Sequence, residues 1–332
     1  MPSRDMNRFY DIFNGDADGL CALVQLRLAE PRETILVTGV KRDIALLDRV
    51  DAAPGDELTV LDVSLDVNRA ALERVLDRGA HVRYFDHHHA GDLPGRRNLV
   101  AHIDLSADVC TSLIVDRHLE GRHRAWAVAG AFGDNLALAA TRAAASLRLN
   151  AQQLGDLRVL GECINYNAYG DSVDDLFYPP AELFQELVRY RNPFDFVGGE
   201  PVLDILREGM ADDLFRAEEV APEYESPEGL VCILPDAPWA RRVNGMLANR
   251  LSNSHTARAH AVLVRTGAGY RVSVRAPQAR LSGADALCRA FPTGGGRAGA
   301  AGINFLPDAE LGRFVTAFAG AFDGRVSGPA SA

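Results

Sequence analysis

Apolar positions in the first 85 residues follow two rhythms. Short continuous runs at 8–13, 34–39, 58–62 and 81–85 have the length and composition of buried strands. Between them, at 19–29, 42–50 and 66–78, apolar residues recur every three or four positions, as on one face of a helix. Asp66 stands where an N-cap would and Gly79 where the third helix would close. Strands alternating with helices at this spacing predict a doubly wound, mainly parallel sheet, so the expected fold class is α/β. Helical spacing continues over 108–119 and the alanine-rich 124–150, then over 151–225 with breaks at Pro179-Pro180, Pro193 and Gly198-Gly199.

A second set of elements begins near residue 230. It comprises a strand at 230–234, a helix over 239–251, and a hairpin of 259–265 and 270–275 turning at Gly267-Ala268-Gly269. A helix over 283–290 leads into the glycine-rich run 294–302, and a last strand and a helix at 308–322 follow. The expected organisation is an N-terminal domain over 1–190, a helical connector over 191–229, a smaller α/β domain over 230–326 and a disordered tail over 327–332.

Composition narrows the class. With 47% apolar residues the chain can bury a substantial core, yet no stretch reaches the ~20 apolar residues of a membrane span. The first residues lack the apolar core of a signal peptide, so a cytoplasmic protein without membrane association is expected. The five cysteines are scattered and read as reduced core residues. No obligate protein partner is evident, and an oligomer is left open. The net charge of −10 is unevenly spread: residues 231–300 carry ten arginines against Asp236 and Asp285. The basic segment could hold phosphate and the acidic remainder cations. Lys41 is the one lysine among 35 basic residues.

The chemistry gathers at strand ends. Asn14-Gly15-Asp16-Ala17-Asp18-Gly19 follows the first strand, Asp62 the third, and Asp86-His87-His88-His89 the fourth. In open α/β sheets ligands bind at that carboxyl edge. Oxygen donors with one or two imidazoles suit Mn²⁺ or Mg²⁺ better than a thiol-preferring metal. A lone Asp-x-Asp often only caps a helix, and a histidine triplet can be a solvated loop; acids at three strand ends favour a metal site. Asp134, a single acid in an apolar segment, fits a metal ligand or a helix cap equally well. Gly294-Gly295-Gly296 with Arg297 could form an anion nest, with Arg275 as a second phosphate contact.

In this order, Asp16-x-Asp18-Gly, Asp62, Asp86-His87-His88 and Gly130-x-x-x-Asp134 resemble the four motifs of the DHH phosphoesterases. Gly294-Gly-Gly-Arg-Ala-Gly-Ala-Ala-Gly302 is similar to the glycine-rich signature of their substrate-binding C-terminal domain, and Val272-Ser-Val-Arg275 to its Ser-x-Arg strand. The resemblance implies a two-metal hydrolase, usually manganese-dependent, with Mg²⁺ as the alternative. It implies Asp62 between the ions, Asp16 on one, and Asp18, His87 and Asp134 sharing the rest. Asp86 would orient an imidazole, and His88 would meet the scissile phosphate or leaving group. Where many members have a motif-I histidine this chain has Ile12, and where RecJ-type exonucleases have an acid it has Asn14. One metal position is therefore short of a ligand, or is completed by Asn14 or water. The expected substrate is a short oligonucleotide or a small nucleotide such as 3′-phosphoadenosine 5′-phosphate. The alternatives are a RecJ-like single-strand exonuclease, then a cyclic-dinucleotide phosphodiesterase, then a catalytically weak nucleotide-binding module.

Overall fold

The computed structural model describes residues 7–322, and the chain divides into two compact units, Met1–Glu208 and Gly209–Ala332. The tail expected at 327–332 lies outside the described residues.

The N-terminal unit is built on a parallel five-stranded sheet: β1 (Phe9–Phe13), β2 (Ile35–Val37), β3 (Glu57–Leu61), β4 (His81–Asp86) and β5 (Leu99–Ile103), in the order β2-β1-β3-β4-β5. Its helices are α1 (Ala17–Ala29), α2 (Arg69–Asp77), α3 (Thr111–His118), α4 (Arg124–Gly133), α5 (Ala137–Ala144), α6 (Ala151–Asn167), α7 (Pro180–Leu187) and α8 (Pro193–Gly199). A longer helix, α9 (Pro201–Glu218), runs across the division between the units. The register pairs Phe13 with Leu61 and Leu61 with Phe85, so β1, β3 and β4 finish level. The next residues of all three strands emerge at one edge. Helix α1 is buried around its whole circumference from Ala17 to Arg27, because the sheet lies on one side and α3, α4 and α6 on the others. Burial on all sides suits its almost uninterrupted apolar sequence.

Several expected elements change. Residues 42–50 form only a short 3-10 turn at Leu46–Arg49, pinned by Asn68, whose amide accepts from the Leu47 N–H and donates to the Ile44 carbonyl. The N-cap of α2 is accordingly Asn68 and not Asp66. The helix expected over 124–150 breaks after Gly133, where Asn135 takes a left-handed backbone (φ 63°), an end that asparagine tolerates. Strand β5 was not anticipated. Close packing explains the glycines of α4: a Cβ on Gly133 would meet Ala17 Cβ at 2.3 Å, and one on Gly130 would meet Ser112 Oγ at 2.2 Å.

The C-terminal unit holds a six-stranded mixed sheet, β10-β11-β9-β8-β7-β6, from β6 (Pro222–Glu225), β7 (Gly229–Leu234), β8 (Ala259–Thr266), β9 (Gly269–Arg275), β10 (Gly294–Arg297) and β11 (Ala300–Pro307). Its helices are α10 (Pro238–Ser254), α11 (Ala284–Arg289) and α12 (Leu311–Phe322), the last packing Phe314, Phe318 and Phe322 into the core with Phe291. The sheet thus takes in residues 222–225, which the sequence pattern places in the connector. The glycine run 294–302 is a hairpin, with β10 turning back into the start of β11. A Cβ on Gly294 would collide with the Cys288 carbonyl at 1.8 Å, so backbone packing already accounts for that glycine. All five cysteines are free and buried, as expected. Among the described residues no helix is long and apolar enough to cross a membrane.

Candidate metal centre

Asp16 caps α1 from an extended backbone. Its Oδ1 accepts from the Asp18 and Gly19 N–H groups at 3.0 and 3.1 Å, and its Oδ2 takes the Lys41 ammonium at 2.6 Å. Burial pushes this carboxyl up, but the Lys41 charge and these hydrogen bonds outweigh it and hold the pKa at about 2. The start of α3 clamps Asp18: Thr111 N–H donates to Oδ2 and Ser112 N–H to Oδ1, both at 2.7 Å. A carboxylate at a helix N-terminus meets unpaired N–H groups and the positive end of the dipole. Each of its oxygens keeps a lone pair for another partner.

Asp62 sits just past β3 with φ 58°, a left-handed conformation that few residues other than glycine, Asn and Asp adopt. That turn leaves its Oδ1 3.4 Å from His87 Nε2, with the Thr111 hydroxyl donating to it at 3.2 Å. Burial, then the charges of Asp16, Asp18 and Asp134, raise its pKa well above the usual carboxylate range. Asp134 follows the last turn of α4 as its C-cap, and its Oδ2 lies 3.9 Å from His87 Nε2, as does Asp18 Oδ2. Burial and the neighbouring acids raise Asp134 to about 8.

Two groups of donors result, each with its atoms within 4.8 Å of one another: Asp18, His87 and Asp134, and Asp62, His87 and His88. Asp86 is fully buried; its Oδ1 holds His88 Nδ1 at 2.8 Å, while its Oδ2 has no partner. That bond, ahead of the opposing effect of burial, raises the His88 pKa. Hard oxygen and imidazole donors, with two acids pushed up by burial and by one another's charge, together fit a divalent cation.

The other expected residues behave differently. Asn14 is spent on the backbone, accepting from the Asp16 N–H at 3.2 Å and donating to the Lys41 carbonyl at 3.1 Å. Arg297 and Arg275 both pair in register with Ala300, so the two arginines share one face of the C-terminal sheet. Arg275 is held by Asn249 at 2.7 Å, and Arg297 is exposed. Most of the basic segment is compensated: Arg242 pairs with Asp213, Arg250 with Glu218, Arg258 with Glu225 and Arg265 with Asp308. Gly294–Gly296, expected as an anion nest, lies in the edge strand β10. Sequence reasoning missed Lys41, Asn165, Thr111 and Ser112 as parts of the site. Only Lys41 left a signal there, as the one lysine of an arginine-rich chain.

No protein-family profile and no curated protein matches the chain. Solved structures do. Exonuclease RecJ bound to manganese shares the fold at TM-score 0.53 and 18% identity, over 96% of this chain and 91% of that one. RecJ from Thermus thermophilus in complex with Mn²⁺ gives 0.54 and 18%, over 95% of this chain, which spans about half (52%) of that longer protein. The pGpG-specific phosphodiesterase PggH from Vibrio cholerae gives 0.55 and 14%, over 93% and 97%. What the chain shares with these structures is the fold, which here is an α/β architecture with a parallel sheet followed by a mixed one.

Proposed function

We propose that this chain is a divalent-metal-dependent phosphoesterase that hydrolyses short oligonucleotides or small nucleotides, such as a dinucleotide or 3′-phosphoadenosine 5′-phosphate. The observation that carries the reading is the convergence of Asp18, Asp62 and Asp134 on His87 Nε2, within 3.4–3.9 Å, at the carboxyl edge of the sheet. These four residues would hold Mn²⁺, or Mg²⁺ in its place. A bound ion would supply Lewis acidity, polarising a phosphoryl oxygen and favouring deprotonation of the attacking water.

The chain's own groups supply the rest. Asp86 fixes the ring of His88 through Nδ1, which leaves Nε2 free to face the substrate. The raised pKa keeps more of that imidazole protonated near neutrality, so it can donate to the departing ester oxygen. Thr111 steadies Asp62, and the start of α3 holds Asp18. Arg275 and Arg297, on one sheet face, would bind a further phosphate of the substrate. The reduced, buried cysteines and this class of substrate suit a cytoplasmic setting.

A second reading is a RecJ-like single-strand exonuclease, favoured by the near-complete overlap with manganese-bound RecJ. Incubation with Mn²⁺ and labelled RNA and DNA, from dinucleotides to long oligomers, separates the two. Fastest turnover of dinucleotides supports the first reading, and processive shortening of long single strands supports the second. Absence of metal-dependent turnover on every substrate, with nucleotide binding intact, would leave only a binding module.

A further inference from the structure

We propose that the ammonium of Lys41 occupies one of the two cation positions of this site, so that the chain holds a single divalent ion beside it. The inference rests on the metal-dependent reading above and changes the number of ions.

Asp16 adjoins Asp62 but differs from the other acids of the cluster in its partners. It belongs to neither group that converges on His87. Its carboxylate is filled otherwise, with two backbone N–H groups on Oδ1 and Lys41 Nζ on Oδ2 at 2.6 Å. A hard divalent ion binds a carboxylate oxygen at roughly 2.0–2.6 Å. An ion on Asp16 Oδ2 would therefore contend with the lysine for the same lone pairs and repel it at close range.

The lysine is also built into its place. Its N–H donates to the Ala168 carbonyl at 2.9 Å and its carbonyl accepts from Asn14 Nδ2. At the tip, Asn165 Oδ1 lies 3.1 Å from Nζ and the Tyr169 ring centroid 5.6 Å away. Asn165 lies in the last turn of a separate helix, α6, so acceptors from two distant parts of the chain converge on the ammonium.

Residue choice points the same way. Of 35 basic residues the chain uses arginine everywhere except here. A compact ammonium on a slim stem can stand where a small ion would, and a planar guanidinium cannot. Asp16 and Asn165 take two of its three N–H groups, leaving the third for a phosphoryl oxygen.

The test counts ions. Metal-free wild type and Lys41→Met would be dialysed against excess Mn²⁺, the bound metal measured, and the spectra recorded by electron paramagnetic resonance. One ion per chain with an isolated, six-line Mn²⁺ signal is expected for the wild type. Two ions with an exchange-coupled signal are expected for Lys41→Met. Two coupled ions in the wild type would overturn the inference, as would one ion in Lys41→Met. If Lys41→Met does not fold, the wild-type count and line shape decide alone. No bound Mn²⁺ in the folded wild type would instead sink the metal-dependent reading.

Discussion

In the N-terminal unit, Asp16, Asp18, Asp62 and Asp134 crowd a small volume with one ammonium among them, and two of these acids are pushed well above their ordinary range. The C-terminal unit treats its arginines in the opposite way. Arg242, Arg250, Arg258 and Arg265 are each brought against a carboxylate from outside the basic stretch. Both excesses are visible as counts along the chain, yet only the first survives folding as concentrated, unbalanced charge. Uncompensated charge marks function because it costs stability that nothing else in the fold recovers. A charge tally cannot make that distinction, because it does not know which partners the fold will deliver.

Four experiments press on this contrast, beginning with the largest effect. Asp62→Asn keeps a residue that tolerates the left-handed backbone while removing the charge central to the cluster. We expect Mn²⁺-dependent hydrolysis of bis-p-nitrophenyl phosphate to vanish while circular dichroism stays native. Persistent turnover would show that the crowded acids are not the reactive centre. Arg242→Ala should act on stability instead. It takes a buried arginine from Asp213, and breaking a buried pair costs about 3–5 kcal/mol. Denaturant titration should report that loss, and replacing both partners by apolar residues should restore most of it.

Arg297→Ala should leave the melting temperature unchanged, because the side chain is exposed. It should weaken KM for a dinucleotide roughly ten- to a hundredfold, the worth of a charge-assisted contact of about 1.5–3 kcal/mol. Turnover of bis-p-nitrophenyl phosphate, which has no second phosphate, should hardly move. An equal loss on both substrates would place Arg297 at the chemistry or in folding.

The last experiment varies pH on the metal-free protein. Asp134 binds its proton up to about pH 8 when folded, against roughly 3.9 when unfolded, and Asp62 shifts in the same direction. Between those limits the folded state carries protons that the unfolded chain has released, so stability should fall as pH rises from about 4 to about 8. Asp16, held at about 2, works oppositely and only below about pH 4. With chelator present the melting temperature should drop across that interval, and added Mn²⁺ should raise it more near the upper limit than near the lower. A metal effect equal at both ends would mean that the acids are not displaced as a group.

Much of this was legible in the sequence. Continuous apolar runs marked β1, β3 and β4, and the acids that follow them stand at one sheet edge because the register leaves those strands level. What escaped depends on contacts far along the chain. Lys41 reaches Asp16 across 25 residues and Asn165 across 124, and no local pattern encodes either. The helix expected over 42–50 yields to hydrogen bonds from Asn68, and the one over 124–150 is cut where Asn135 turns left-handed, which places Asp134 at a helix end. Strand β5, an apolar run at Leu99–Ile103, stands at the sheet edge without a fully buried residue. The glycine run suggested a phosphate loop because close backbone packing and anion binding ask for the same residue.

The clamp on Asp18 also has a kinetic side. The amides that grip it lie 93 and 94 residues further along the chain. Contacts of such long sequence separation close late, after the loop entropy between their ends has been overcome. We therefore expect the cation position to take shape only when the parallel sheet and α3 have come together, on the native side of the folding barrier. An ion held there would bind after that barrier and would slow escape from the native state, with little effect on the speed of reaching it. Metal would then prolong the lifetime of the assembled protein without guiding its assembly.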